Sequence, residues 1–373
     1  MLIKNALVLN DAFEFTPMDV EIHDTHIQSV ACPNAAVATQ NYIDLAGYAL
    51  IPAFFDLHIH AARGMDCMDP NCDFSVIQSY LLENGIVNYL LATCAADHVQ
   101  LLAALARIAN VPSIAGIYLE GPFLSAKHRG AHDEKVLCPP AIEECKQLIK
   151  AANGRIKIAT IAPELSDAIE CASFLRDNHI IPAIGHTAAD YDTVTHAINS
   201  DMRHVTHIFN AMPPLHHRNP GAVGAALEDD RVFCEVICDG IHLHPSIIRM
   251  LYKQLGGDRM ILISDATCAC GMEDGMYRFG GTDMMVLSGI ARTPNGALAG
   301  STCNLREMVK RTISFGVPKT DAIKMATLTP ARAVGLDMLY GSITAGKFAD
   351  LVAVDDDLNV NMVIRKGKIV LQN

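Results

Sequence analysis

Ala53-Phe54-Phe55-Asp56-Leu57-His58-Ile59-His60 begins as an almost unbroken apolar run and ends in two histidines. Continuous rather than alternating apolarity suits a strand covered on both faces, as in a parallel sheet wrapped by helices. On such a strand His58 and His60, two residues apart, point to one face. Seven further apolar runs follow, at residues 86–92, 114–119, 156–161, 180–184, 204–208, 232–238 and 260–263. Between them lie segments with helical spacing of apolar residues, at 74–84, 99–109, 141–152, 167–177, 190–199 and 245–255. Eight strands alternating with helices over roughly 250 residues predict an α/β fold, a (β/α)8 TIM-like barrel.

The two ends read differently. Residues 2–9, 19–23 and 27–30 are β-like, and so are 351–354, 360–364 and 366–370. Two β-rich ends around a different middle predict a small β-sandwich domain built from residues 1–50 and 338–373, with the barrel over 51–337. No fixed-period repeat or low-complexity stretch is visible.

Composition narrows the class. The 373 residues are 50% hydrophobic and 19% charged, too apolar for a disordered chain and long enough to bury a large core. With 29 Lys+Arg against 41 Asp+Glu the formal charge is −12, which argues against nucleic acid as a partner. No run of about 18 apolar residues predicts a membrane span. The first residues lack the apolar core of a signal peptide, so a cytoplasmic location is expected. None of the 12 cysteines forms a C-x-x-C knuckle, and several sit in apolar runs such as Val232-Phe233-Cys234-Glu235-Val236-Ile237-Cys238. They read as buried small hydrophobes in a reducing compartment, with Cys268 and Cys270 close behind Asp265.

In a barrel of this kind chemistry sits at the carboxyl ends of the strands. Run three ends in Glu120, run five in Gly185-His186, run six carries His207, run seven leads to Asp239 and His242, and run eight ends in Ser264-Asp265. Imidazoles and carboxylates gathered from several strand ends are the ligand set of a divalent transition ion such as zinc, iron or manganese.

These stretches resemble the amidohydrolase superfamily: His-x-His after strand one, single ligands later, and a closing Asp after strand eight. Tyr118-Leu119-Glu120-Gly121-Pro122-Phe123, Gly130-Ala131-His132, Thr206-His207-Ile208-Phe209-Asn210-Ala211-Met212, Asp239-Gly240-Ile241-His242 and Leu298-Ala299-Gly300 are more closely similar to the family of N-acetylglucosamine-6-phosphate deacetylases. Thr329-Pro330-Ala331-Arg332 and Gly346-Lys347-Phe348-Ala349-Asp350-Leu351 match the superfamily more broadly, so the resemblance spans nearly the whole chain.

The resemblance implies removal of the acetyl group from N-acetyl-D-glucosamine 6-phosphate. It implies Glu120, His186 and His207 as ligands of the main ion. The His58–His60 pair allows a second, so one or two ions per subunit, zinc first and iron, manganese or cobalt otherwise. Asp265 would accept a proton from water and pass it to the leaving amine, while His132 would help polarise the acetyl carbonyl. The sugar would lie against Ala131, Leu298, Ala299 and Gly300. Asn210, Ala211, His242 and Arg218 would bind the phosphate, Arg218 reaching in from the neighbouring subunit of a homodimer. Asp265 could instead cap a following helix.

One departure from the family is Ala61-Ala62-Arg63-Gly64-Met65-Asp66, poorer in glycine and bringing Arg63 near the mouth. His216 and His217 are adjacent, so one could face the site. Alternatives are a deacetylase of the galactosamine epimer, another amidohydrolase acting on a cyclic amide or as a deaminase, and a non-catalytic barrel. The dinuclear members bridged by a lysine are disfavoured, because strand three offers Glu120.

Overall fold

The computed structural model describes residues 1–33 and 42–373; residues 34–41, within the amino-terminal span assigned to the small domain, lie outside the described residues. All eight expected runs are strands of one parallel sheet. In spatial order they are Phe54–Ile59, Ile86–Ala92, Gly116–Leu119, Ile156–Ile161, Ile181–Ile184, His204–Val205, Phe233–Ile237 and Met260–Ile263. Every residue of the first two is buried, as their continuous apolarity predicts.

The barrel closes between its first and eighth strands. Asp265 N–H donates to His58 O (2.9 Å) and His60 N–H to Ala266 O (3.0 Å). The hydrogen bonds of closure thus set Asp265 beside the His-x-His pair.

The expected helices are present, and their starts explain themselves. Asp73, Asp97 and Asp190 each accept a backbone N–H of the first turn, from Ser75, Gln100 and Thr193. The helix His98–Ala109 buries Leu101, Ala104, Leu105 and Ile108, one face at helical spacing. The helix expected over 245–255 runs as Pro245–Arg259 through a left-handed break at Gly256.

Both termini meet in a second sheet, in which Leu351–Val354 lies antiparallel to Ala49–Pro52 and Ala49–Pro52 parallel to Leu2–Leu9. Its inward residues, among them Ile3, Val20, Ile27, Leu50, Leu351 and Ile364, form an apolar cluster separate from that of the barrel.

Two features depart from expectation. The sixth strand is only His204–Val205, because residues 206–211 turn sharply to build the barrel mouth. After the eighth strand the chain forms a three-stranded antiparallel sheet, Gly275–Phe279, Thr282–Leu287 and Ile290–Arg292. It packs Phe279, Met284 and Val286 with Ala61 and Cys94 over one side of the mouth. Asp265 is therefore followed by a turn and a sheet, and the helix-cap alternative fails. Among the described residues no helix is long and apolar enough to cross a membrane.

Candidate metal centre and active site

Glu120, just past the third strand, stands at the centre of the mouth and is 3% exposed. Its Oε1 lies 3.1 Å from His186 Nε2 and 3.0 Å from His207 Nε2, and those two nitrogens are 3.1 Å apart. Its Oε2 lies 3.4 Å from His60 Nε2 and 3.4 Å from His132 Nε2. His60 Nε2 is also 3.1 Å from Asp265 Oδ1, and His58 Nε2 is 3.5 Å from Glu120 Oε1.

Ring orientation is set from outside the cluster. His186 Nδ1 lies 2.9 Å from His128 O and His60 Nδ1 3.1 Å from Ala92 O. A carbonyl only accepts, so both rings carry hydrogen on Nδ1. His58 Nδ1 donates to Glu235 Oε2 at 3.1 Å, and its buried Nε2 has no hydrogen-bond partner. With Nδ1 occupied, three Nε2 atoms are left to face the Glu120 and Asp265 carboxylates. No lysine or arginine is found among the described buried residues. Acceptor against acceptor at these distances needs a cation between, either a ring proton or a metal ion. Separations of 3.0–3.1 Å also suit ligands about 2.0–2.2 Å from one shared centre.

His132 differs from these rings. Its Nδ1 accepts Ala95 N–H at 3.3 Å, so its hydrogen sits on Nε2. Although Glu120, His132 and His186 lie close enough together for an ion, that tautomer makes His132 a donor aimed into the cavity.

Burial alone would raise the Glu120 carboxyl. The His58 ring and hydrogen bonds from His132, His186 and His207 outweigh it and hold the group well below the usual carboxylate range. Burial likewise opposes, and His60 and His58 overcome, at Asp265, which is held low. At Asp56 burial outweighs the hydrogen bonds from Ser264 and the His58 backbone and pushes the carboxyl up to about 6.

Backbone strain marks the same positions. His186, His207 and Asp265, each just past a strand end, have φ of +46°, +27° and +46°. Such conformations cost about 1–3 kcal/mol each and persist where the surroundings enforce them. Gly300 (φ +51°) backs Asp265 so closely that a Cβ there would come within 2.6 Å of Asp265 O.

A cavity of about 260 Å³ opens above the cluster, lined among others by Ala131, His132, Asn210, Ala211, His242, Leu298 and Gly300. Phe279 and Gly280 of the three-stranded sheet close one side.

Residues 49–370 match the amidohydrolase family. The chain belongs to that family. Among curated relatives it is 34% identical to the N-acetylglucosamine-6-phosphate deacetylase of Bacillus subtilis (strain 168), over 99% of this chain and 96% of the relative. It is also 34% identical to the N-acetylgalactosamine-6-phosphate deacetylase of Escherichia coli O157:H7, over 86% and 87%. Among solved structures, a mutant of N-acetyl-D-glucosamine-6-phosphate deacetylase from Mycobacterium smegmatis in complex with N-acetyl-D-glucosamine-6-phosphate superposes with a TM-score of 0.93. The identity is 33%, covering 100% of this chain and 99% of that one.

The ligand candidates read from the sequence converge here: His58, His60, Glu120, His186, His207 and Asp265. Three other expectations need correction. Ala299 does not line the cavity; it is 1% exposed and packs in the apolar cluster under the three-stranded sheet, because neighbours in an extended stretch face opposite sides. Arg63 does not reach the mouth, since its guanidinium donates to Gly271 O (2.9 Å) and lies over the Tyr80 ring. His216 and His217 stack on each other, both exposed, outside the cavity. Arg218, expected at a neighbouring subunit's site, is exposed and does not line its own chain's cavity.

Sequence reasoning missed Glu235, Phe279 and Cys94, and it gave Asp239 no role of its own. Glu235, 0% exposed, ties His58 to His204, and Asp239 Oδ2 holds His242 Nδ1 at 2.7 Å. Phe279 closes the cavity, and Cys94 lines it rather than serving as remote core filler. A charged residue midway through the run 232–238 was the available signal for Glu235.

Proposed function

We propose that this protein is an N-acetyl-D-glucosamine-6-phosphate deacetylase, releasing acetate and glucosamine 6-phosphate by metal-dependent hydrolysis. The observation that carries the reading is the Glu120 carboxylate at the mouth of a barrel, whose Oε1 lies against the Nε2 atoms of His186 and His207 and whose Oε2 lies against that of His60. Full-length likeness to deacetylases supports it.

Glu120, His186 and His207 would hold the principal ion, and His58 and His60, with Asp265, a second. Zinc suits this nitrogen–oxygen set, with iron, manganese or cobalt as alternatives. When bound, such an ion polarises a carbonyl and makes a water more acidic. Asp265 is ionised at neutral pH and takes the proton of the attacking water. It then carries that proton to the departing amine nitrogen as general acid. His132, with its Nε2–H directed into the cavity, donates to the acetyl oxygen as negative charge develops there. Water is excluded on one side by Phe279, Leu298 and Gly300, where the sugar would lie.

The phosphate would be met by His242, Asn210 and the backbone at Ala211. Arg218 would come from the neighbouring subunit of a homodimer, a reading supported by its exposure and its absence from the lining of its own cavity. We further propose a cytoplasmic enzyme whose chain divides into 1–50 with 338–373 and 51–337; the separate apolar cluster of the terminal sheet supports this division.

The test is acetate release from a panel of N-acetyl hexosamine 6-phosphates and their non-phosphorylated counterparts. The glucosamine 6-phosphate substrate should be preferred. Faster turnover of the galactosamine epimer would assign the activity named for the Escherichia coli relative. No acetate from any member would remove the deacetylase reading.

A further inference from the structure

Among the described residues, Glu235 is the one buried acid in the middle of a barrel strand that reaches a candidate ligand ring. It lies on the seventh strand, Phe233–Ile237, and is 0% exposed. Its Oε2 accepts from His58 Nδ1 on the first strand at 3.1 Å, and its Oε1 pairs with His204 Nε2 on the sixth at 2.8 Å. The His207 backbone N–H also approaches Oε2, at 3.4 Å. One carboxylate therefore touches the residues that carry both halves of the Glu120 cluster.

We infer that Glu235 is a positioning residue that selects the ligating form of His58 and thereby creates the second ion position. The inference rests on the metal-dependent reading of this site. An ionised carboxylate can only accept, so a hydrogen must sit on His58 Nδ1, which leaves Nε2 as the nitrogen that can take an ion. That Nε2 is the buried orphan atom facing Glu120 and Asp265, 3.5 and 3.8 Å from their oxygens. The backbone of His58 is pinned separately, its N–H donating to Asp56 Oδ1 at 3.2 Å, so Glu235 is left to govern the ring. Outer partners of this kind fix a ligand's tautomer and raise its basicity, and their loss weakens metal affinity about 10–100-fold.

An amide cannot replace this carboxylate. Glu235 receives donors from two rings, whereas glutamine offers one accepting oxygen and one donating nitrogen. Glu235→Gln therefore forces one ring to turn over or lose its bond, without removing any ligand.

The experiment is titration of metal-free protein with Co²⁺, followed by calorimetry and by visible absorption of the bound ion. Wild type should bind two ions per chain. Glu235→Gln should bind one as before and the other roughly 10–100-fold more weakly. His58→Asn should weaken the same ion. Two ions bound by Glu235→Gln with unchanged affinity, loss of both together, or a single ion in wild type would each overturn the inference. Should Glu235→Gln fail to fold, nitrogen NMR of the histidine rings in metal-free wild type decides it, with His58→Asn used to assign the signal. His58 must carry a hydrogen on Nδ1; a neutral ring with its hydrogen on Nε2 overturns the proposal. The substrate panel fails independently. Two ions without acetate release would remove the deacetylase reading alone, and one ion with full turnover would remove only the role of Glu235.

Discussion

The Nε2 atoms of His186 and His207 lie 3.1 Å apart, each within 3.1 Å of the same Glu120 oxygen. Without a cation this triangle concentrates lone pairs in a buried space. Chelation should therefore destabilise the fold as well as abolish turnover. Ligand at about 1,000 times its Kd contributes about 4 kcal/mol, which in a chain of this size lowers Tm on the order of 5–10 °C when removed. Calorimetry with and without chelator reads this directly. An unchanged Tm after verified metal removal would contradict an ion at Glu120.

Asp265 sits 3.1 Å from His60 Nε2, held by backbone bonds that close the barrel. Asp265→Asn keeps the shape and removes the proton carrier. We expect kcat to fall by about 10²-fold or more with KM little changed. The ion at Glu120, His186 and His207 should remain, as measured by metal analysis of the same sample. Turnover within a few-fold of wild type would remove Asp265 from the chemistry.

Arg218 is exposed and does not line its own cavity. If it serves a neighbour, Arg218→Ala raises KM for phosphorylated substrates and spares unphosphorylated ones. Mixing Arg218→Ala with Asp265→Asn subunits then regenerates sites that carry both residues. Activity well above either parent is the expected result. Mixed samples no better than the parents would leave Arg218 without a role across subunits.

The His242–Asp239 pair predicts a pH dependence of stability. Burial alone would lower the His242 ring, but Asp239, 2.7 Å from Nδ1, outweighs it and raises the ring above its usual 6.5. A raised folded value contributes stability that is complete below pH 6.5 and disappears as pH climbs through the folded value. The urea-unfolding difference between wild type and His242→Gln should be constant below pH 6.5 and shrink above it. A difference that grows with rising pH would mean His242 is buried neutral.

Much of this was legible in the chain. The runs at 53–57 and 86–92 are apolar at every position or nearly so, because strands covered on both faces need that, and they read as barrel strands directly. The ligand candidates were legible because each interrupts apolarity at a strand end. The three-stranded sheet over 275–292 was not. Its alternating pattern buries only Phe279, Met284, Val286 and Ala291, a short-period signal that also fits a surface loop. Ala299 was misjudged because motif proximity does not specify which way a side chain turns.

Sequence by itself determined the barrel, the contribution of both termini to a second sheet, and the residue types gathered at the mouth. Periodicity and composition are local properties, and these features follow from them. Only the tertiary structure decided which nitrogen of each histidine faces Glu120. Ring orientation is set by distant groups: His128 O for His186, Ala92 O for His60, and Glu235 for His58. Glu235 lies 177 residues from His58 in the chain, and only barrel closure brings the two within a hydrogen bond.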